Sequence, residues 1–227
     1  MGYPTVETIV AEAAAWEFIH ELPATLHGFT KNIMLKQQGQ LLFICAYINE
    51  SLRARVDIIY TTETFDYLLR RKMGLNEYRD IRFIFKDRAQ FEKEVAGHLA
   101  GIIEEMADYH VRQLGYMVDD KGILTWEYGN SLPQRLGDFE LYIKPAAAMN
   151  YINGSVIFLD YSNFARGDQL VFLYNCLRNE LFAEIKIGGV FKSSHTFDCQ
   201  NLQELEGKLK TELAPTLTAI SAADHEI

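Results

Sequence analysis

The stretches LFICAYIN at residues 42–49 and VIFLDYSN at residues 156–163 decide the fold. Both are apolar runs rich in β-branched and aromatic residues, and both end in Tyr-x-Asn. Runs of this kind predict buried strands. Their offset of 114 residues is the first indication that one pattern occurs twice in the chain.

The same offset of 114 residues extends beyond these strands and aligns residues 42–101 with the second half without a gap. Identities are few, and they include Tyr47/Tyr161, Asn49/Asn163, Tyr60/Tyr174, Gly74/Gly188, Phe83/Phe197 and Leu99/Leu213. An internal duplication predicts two related tandem units, residues 1–114 and 115–227, closely packed on each other. Two unrelated layers of one domain would also produce coincident apolar periods, so that alternative stays open.

Alternating apolar residues and turn residues predict antiparallel sheets. In the first half we expect strands at 30–36, 40–48, 54–61 and 81–86, with a hairpin turn at Gln38-Gly39. In the second half we expect a hairpin at 116–128 that turns at Asp120-Lys121-Gly122, a loop at 129–138 and strands at 139–144, 155–161 and 169–174. Residues 176–187 fit a helix or a strand, and the turn signal Gly188-Gly189 favours a strand at 182–187 followed by a second strand at 190–197.

Helices are predicted between these strands from apolar residues at helical spacing. The segments are 6–22, a short helix at 65–73 ending at Gly74, a helix from the N-cap Asp87 to 114, and a helix from Asn201 that Pro215 disturbs near its end. The opening helix has no apparent counterpart in the second half. The predicted class is α+β, with antiparallel sheets and helices packed on one face.

Composition excludes several classes of protein. The 227 residues carry a net charge of −9 without a long basic stripe, which disfavours a nucleic-acid binder. No apolar run approaches the length of about 20 residues that a membrane span needs. Three cysteines without a C-x-x-C pair argue against a disulfide framework. We therefore expect a cytoplasmic protein that binds neither nucleic acid nor membrane.

The clearest charge anomaly is a basic cluster in an otherwise acidic chain. Its members are Arg70, Arg71, Lys72, Arg79, Arg82, Lys86 and Arg88. Arginine binds oxyanions through two parallel hydrogen bonds, so the cluster could bind a phosphate, a carboxylate or an acidic protein surface. The alternative is a solvated helix end and strand face that pair with the acidic second half.

No motif for catalysis or cofactor binding is present. The nucleotide-binding signatures and the nucleophile elbow are absent, and the carboxylates near His98 lack a di-iron or zinc spacing. His195 lies beside Ser193 and Ser194 and near Cys199, but proximity in sequence does not make a catalytic group. Catalytic residues are therefore unknown, and neither a metal nor a cofactor is predicted.

The sequence favours a non-enzymatic binding or adaptor protein, which would recognise a protein, peptide or small ligand at a sheet face or at the junction of the two units. At the level of element order, the chain resembles the secretion-chaperone type of α+β domain, which implies a chaperone-like role; no residue motif accompanies this likeness. The alternative is an enzyme without a recognisable motif that acts on an anionic substrate near the basic cluster. A homo-oligomer is compatible with either reading.

Overall fold

The computed structural model describes residues 6–224 and divides the chain into two compact units, the first ending at Val111 and the second beginning at Arg112. Each unit contains one antiparallel sheet, of six strands in the first and seven in the second. Six α-helices are present among the described residues, and each sheet packs against helices of its own unit. The α+β class with antiparallel sheets is confirmed.

The first unit is a meander in which every strand pairs with its neighbours along the chain. Two of its hairpins turn at glycines with positive φ, Gly39 at 58° and Gly74 at 60°, a conformation that glycine adopts without steric cost. The strands predicted at 30–36, 40–48, 54–61 and 81–86 are confirmed, the last as the second half of β6. The elements are α1 Val6–Ala14, α2 Glu17–Glu21, β1 Thr25–Leu26, β2 Phe29–Gln38, β3 Leu41–Asn49, β4 Ala54–Thr61, β5 Asp66–Met73, β6 Asn76–Phe85 and α3 Arg88–Ala107.

The opening helical segment is broken at Trp16, so the single helix predicted for residues 6–22 is wrong. Trp16 has φ −77° and ψ 97°, an extended conformation. Its indole packs against Tyr67 of β5 and Phe91 of α3, with ring centroids 5.6 and 6.3 Å apart. The extended backbone places this large ring in the core, and its burial outweighs the loss of one helical turn.

Residues 65–73, predicted to be a short helix, form strand β5, and that prediction is wrong. The apolar spacing fits one face of a helix, but the strand is buried on both faces. Leu68 joins a small apolar cluster on the face away from α3, and Leu69 points to the face on which α3 lies. Gly74, predicted to end the helix, makes the turn between β5 and β6 instead.

Helix α3 begins as predicted and ends early. The Asp87 carboxylate caps it by accepting a hydrogen bond from the N–H of Gln90 at 2.8 Å. The helix ends at Ala107 rather than at residue 114, because Asp108 adopts an extended conformation. The predicted apolar stripe is buried and consists of Phe91, Val95, Leu99, Ile102 and Ile103.

The second unit has a similar order of elements. Its strands lie in the order β13-β12-β11-β10-β8-β7, and the short strand β9 pairs with β10. The strands predicted at 139–144, 155–161, 169–174 and 182–187 are confirmed, and so is the Gly188-Gly189 turn between Ile187 and Val190. The strand predicted at 190–197 is wrong in its length, because it ends at Lys192. The elements are α4 Tyr116–Lys121, α5 Glu127–Asn130, β7 Arg135–Leu136, β8 Phe139–Ile143, β9 Met149–Asn150, β10 Ser155–Asn163, β11 Asp168–Asn175, β12 Glu180–Ile187, β13 Val190–Lys192 and α6 Leu202–Ala222.

The hairpin predicted for residues 116–128 is wrong, because this segment is helical. Helix α4 ends at Gly122, whose φ is 73°, and α5 begins after Trp126. Gly122 is therefore a helix C-cap and not a hairpin turn, and both roles use the same left-handed backbone. The loop predicted at 129–138 contains the end of α5 and strand β7.

Helix α6 continues through Pro215 to Ala222, although the proline was expected to disturb its end. Proline in a helix interior costs about 3 kcal/mol through a lost hydrogen bond and a steric clash. Leu217 and Ile220 are buried beyond it, and burying such side chains stabilises by about 1.5–3 kcal/mol each. The apolar stripe therefore offsets the cost of the proline.

The two units also share a hydrogen bond between a tyrosine hydroxyl and a proline carbonyl. The hydroxyl of Tyr47 donates to the carbonyl of Pro23 at 2.6 Å, and the hydroxyl of Tyr161 donates to the carbonyl of Pro133 at 2.7 Å. Helices α4 and α5 precede the second sheet as α1 and α2 precede the first, so the expectation that the opening helix has no counterpart is wrong. The internal duplication itself stays a prediction, with which these parallels agree.

Candidate functional site

The seven residues of the predicted basic cluster do not form one patch. Side chains alternate along a strand, so β5 directs Arg70 and Lys72 to one face of the first sheet. Arg71 points to the other face, where its Nη1 lies 3.6 Å from Glu105 of α3. The remaining members follow along β6 and into α3, namely Arg79, Arg82, Lys86 and Arg88.

Arg70 is bound by a buried carboxylate. Its Nε and Nη2 donate to Oδ2 of Asp57 at 3.0 and 2.7 Å, and Arg55 donates to Oδ1 of the same residue. Asp57 is fully buried, and the guanidinium of Arg70 lies 4.9 Å from the centre of the Phe43 ring. Much of the hydrogen-bonding capacity of Arg70 is therefore used within the first unit.

Arg71 and Arg82 share a second buried carboxylate, Asp80. Its Oδ2 accepts from Nη2 of Arg71 at 2.7 Å and from Nη2 of Arg82 at 2.8 Å, and its Oδ1 accepts from Nε of Arg82 at 3.0 Å. Burial raises the pKa of Asp80, but the hydrogen bonds and charges of the two arginines outweigh burial and leave the pKa below its usual value. We call these three residues the Asp80 network.

The other four members of the cluster differ in their surroundings. The guanidinium of Arg88 lies over the indole of Trp16, 5.6 Å from the ring centre. Within residues 6–224, no hydrogen bond or ion pair engages Lys72, Arg79 or Lys86. Anion binding by the cluster stays a prediction, and these three cations are the members that retain unused charge.

The Asp80 network fills an interruption in the ladder between β5 and β6. The register shifts after the pair Leu68–Ile84 and resumes at the pair Arg70–Arg79, so β6 bulges between them. Asp80 lies in this bulge. Its carboxylate accepts a hydrogen bond from Arg71 of β5, so the network links the two strands beside the interruption.

The second sheet is interrupted between β12 and the chain that follows it. Leu181 pairs with Cys199, and pairing resumes only at Ile185 and Lys192. Within the described part of the chain, residues 182–184 have no strand partner on this side, because the segment between Lys192 and Cys199 loops away. We call this interruption the β12 gap.

The two interruptions lie at equivalent positions. With the offset of 114 residues, the pair Leu181–Cys199 corresponds to Tyr67–Phe85, which are also paired. The charged residues of the first interruption correspond to uncharged residues in the second: Arg71 to Ile185, Asp80 to Ser194 and Arg82 to Thr196. The second unit therefore lacks the charges that fill the first interruption.

Ala183 directs its backbone N–H and C=O into the β12 gap. Leu181 and Cys199 exchange two hydrogen bonds of 2.9 Å, so the backbone groups of Leu181 point away from β11. These directions alternate along a strand, and those of Ala183 and Ile185 therefore point the same way. Ile185 pairs with Lys192, whereas no strand of the described residues pairs with Ala183 on this side.

A pocket of about 500 Å³ opens over the β12 gap. Its volume lies within the range of about 300–1,000 Å³ that small-ligand sites usually have. Its walls are formed by β12, the loop after β13 and the start of α6, and we call it the edge pocket. Lining residues include Phe182, Ala183, Glu184, His195, Asp198 and Glu204.

Four carboxylates line the edge pocket, and three of them have a basic partner. The pairs are Glu180 with Arg178 at 3.7 Å, Asp198 with His195 at 2.7 Å and Glu204 with Lys208 at 3.7 Å. Among the described residues, no hydrogen bond or ion pair engages the fourth, Glu184. Burial raises the pKa of Glu184, and the nearby charge of Lys186 opposes that rise.

The polar groups of the edge pocket include a histidine–aspartate pair and a cysteine thiol. The His195 side chain is 87% exposed, so water competes for its hydrogen bond with Asp198. Cys199 is buried, and burial raises the pKa of its thiol, which disfavours the nucleophilic thiolate. Within residues 6–224, no group of three or more His, Cys, Asp or Glu side chains is placed to hold a metal ion.

The edge pocket was missed at the level of sequence. His195, Ser193, Ser194 and Cys199 were considered only as a catalytic group, and the structure brings them together as part of the pocket wall. The available signal was a difference between the halves. With the offset of 114 residues, charged residues of the first half align with uncharged ones at three positions around the gap.

Comparison with known proteins gave no match among family models, curated proteins or solved structures. None of the helices between residues 6 and 224 combines the length and the apolar character that crossing a membrane requires. A functional proposal for this chain therefore depends on the geometry of the site.

Proposed function

We propose that this protein is a non-enzymatic binding protein that holds a short peptide segment in the β12 gap. The observation that carries the proposal is the backbone of Ala183, whose N–H and C=O point into a pocket of about 500 Å³ without a strand partner among the described residues. A buried backbone group without a partner costs free energy, so a ligand that pairs with it gains affinity.

A peptide is the ligand class that fits these groups best. A residue in extended conformation can exchange both backbone hydrogen bonds with Ala183, as opposite residues of an antiparallel pair do. Phe182, half-buried in the pocket wall, offers an apolar surface to the neighbouring ligand side chain. Addition of a peptide to a sheet edge combines such backbone bonds with side-chain pockets that give specificity.

Panning a display library of short random peptides against the full-length protein tests the proposal. We expect enriched peptides whose affinity falls about tenfold when the residue paired with Ala183 is N-methylated, since one hydrogen bond is lost. Methylation of the next residue should change the affinity little, because its N–H points the other way. Titration calorimetry measures both effects.

Two variants of the protein complete this test. Ala183→Pro removes the N–H that faces the gap, which the ladder with β11 does not use, and it should abolish binding. Ala183→Gly keeps both backbone groups and should retain binding, while circular dichroism checks that each variant folds. Equal binding by the proline variant and the wild type would refute the proposal.

We also propose that the protein works in the cytoplasm, as the sequence leads us to expect. The support is chemical: Cys45, Cys176 and Cys199 are all free thiols. Disulfides are rare in reducing compartments and common in secreted proteins. Detection of the protein in a fractionated lysate of its own cells is the corresponding experiment.

A further inference from the structure

Glu184 is the carboxylate of the edge pocket that has no counter-charge within bonding distance. It lies on β12 directly after Ala183, its side chain is half-buried, and it lines the pocket. No hydrogen bond or ion pair engages it among the described residues. A carboxylate that is partly removed from water without a partner is costly, so a ligand cation placed beside it would recover that cost.

Antiparallel pairing of a ligand strand with β12 determines which ligand residue would carry the cation. In an antiparallel pair, the residue opposite Glu184 comes immediately before the residue opposite Ala183 in the ligand sequence. Side chains of directly opposite residues lie on the same face with Cβ atoms about 5 Å apart. A lysine or arginine side chain at that ligand position reaches Glu184 without any change of backbone register.

The other charges near the pocket leave this role to Glu184. Glu180, Asp198 and Glu204 already have basic partners in the protein. Lys186 follows Glu184 on the same face of β12, but it is buried and its ammonium lies 4.7 Å from the centre of the Phe191 ring. Lys192 also lines the pocket and has an interaction of its own within the protein. An anionic ligand group placed beside Glu184 would be repelled by its carboxylate.

We infer that the segment bound in the β12 gap carries a lysine or arginine immediately before the residue that pairs with Ala183, and that this cation binds Glu184. The inference rests on the proposed peptide-binding function, and it names the class of partner: a basic, extended peptide segment.

The probe is the end-blocked peptide Thr-Val-Lys-Val-Thr, compared with versions that carry norleucine or glutamate in place of lysine. Chemical-shift titration of the full-length protein measures the dissociation constants. We expect the lysine peptide to bind about tenfold more tightly than the norleucine peptide, as a charge-assisted hydrogen bond allows, and the glutamate peptide to bind most weakly.

Variants assign the preference to Glu184. Glu184→Gln should remove the advantage of the lysine peptide and leave the norleucine peptide unchanged. Glu180→Gln is the matched control on the same strand, and it should keep the advantage because Glu180 is already paired with Arg178. Equal affinity of the lysine and norleucine peptides for the wild type overturns the inference but leaves the proposed function in place. Failure of all three peptides to bind overturns both.

Discussion

The same interruption of the sheet edge is filled in the first unit and open in the second. In the first unit, Asp80 lies in the bulge of β6 and is bound by two arginines. In the second unit, serine stands at the equivalent position, and a pocket of about 500 Å³ opens beside β12. Both interruptions are bounded by equivalent residue pairs, but β5 pairs through Leu68 and Arg70 whereas residues 182–184 of β12 have no strand partner on that side among the described residues.

The largest expected effect comes from removing the charge that fills the first interruption. Asp80→Ala should lower the free energy of unfolding by about 3 kcal/mol, because the more distant Glu105 is then the one carboxylate beside the buried Arg71. Urea unfolding followed by circular dichroism measures the change.

Ser194→Ala is the matched control at the equivalent position of the second unit. The Ser194 hydroxyl donates to the Thr196 hydroxyl at 3.3 Å and accepts from the Thr196 N–H at 3.4 Å. Both bonds are long and exposed, so their loss should change the free energy of unfolding by less than about 0.5 kcal/mol. Similar losses in the two variants would mean that the Asp80 network does not distinguish the units.

Smaller losses of stability, equal in the two units, are expected from removing the tyrosine–proline hydrogen bond that both units contain. Tyr47→Phe and Tyr161→Phe each remove one hydrogen bond to a proline carbonyl, and each should cost about 1 kcal/mol. Tyr60→Phe is the control, because its hydroxyl has no hydrogen-bond partner among the described residues, and it should cost almost nothing. Thermal unfolding of the three variants compares them, and a large difference between the first two would weaken the case for a shared fold.

The smallest effect should appear in the dependence of stability on pH. The pKa of Asp80 is lower in the folded protein than in the unfolded chain, so its stabilisation is complete above the unfolded pKa of about 4 and is lost as the pH falls through the folded pKa. The difference in unfolding free energy between the wild type and Asp80→Asn should therefore shrink on acidification. It should be small, since burial offsets much of the influence of the arginines. A difference in unfolding free energy that grows as the pH falls would contradict this prediction, because it would mean that folding raises the pKa of Asp80.

The parts of the fold that were predicted from sequence are those in which local chemistry and tertiary packing agree. Asp87 and Asn201 have the side chains that cap helices, and each accepts the expected hydrogen bond from the third residue beyond it. Gly188-Gly189 makes the hairpin turn that its composition indicates.

The wrong predictions concern segments whose local sequence fits two structures, so that tertiary packing decided between them. Residues 65–73 contain a helix-like apolar spacing, yet they form a strand that is buried on both faces and has apolar side chains on each. Trp16 breaks a plausible helix so that its ring can enter the core. The edge pocket was not predicted, because it depends on where strand pairing stops between Ile185 and Leu181, and the charge differences between the aligned halves are only an indirect sign of that.

The meander of the first unit also has a consequence for how the chain folds. Its six strands each pair with the strand next in sequence, so few of its sheet contacts require distant parts of the chain to meet. Closing short loops costs little entropy, and folding rates rise as the mean sequence separation of contacts falls. The first sheet can therefore be complete while the ribosome is still adding the residues of the second.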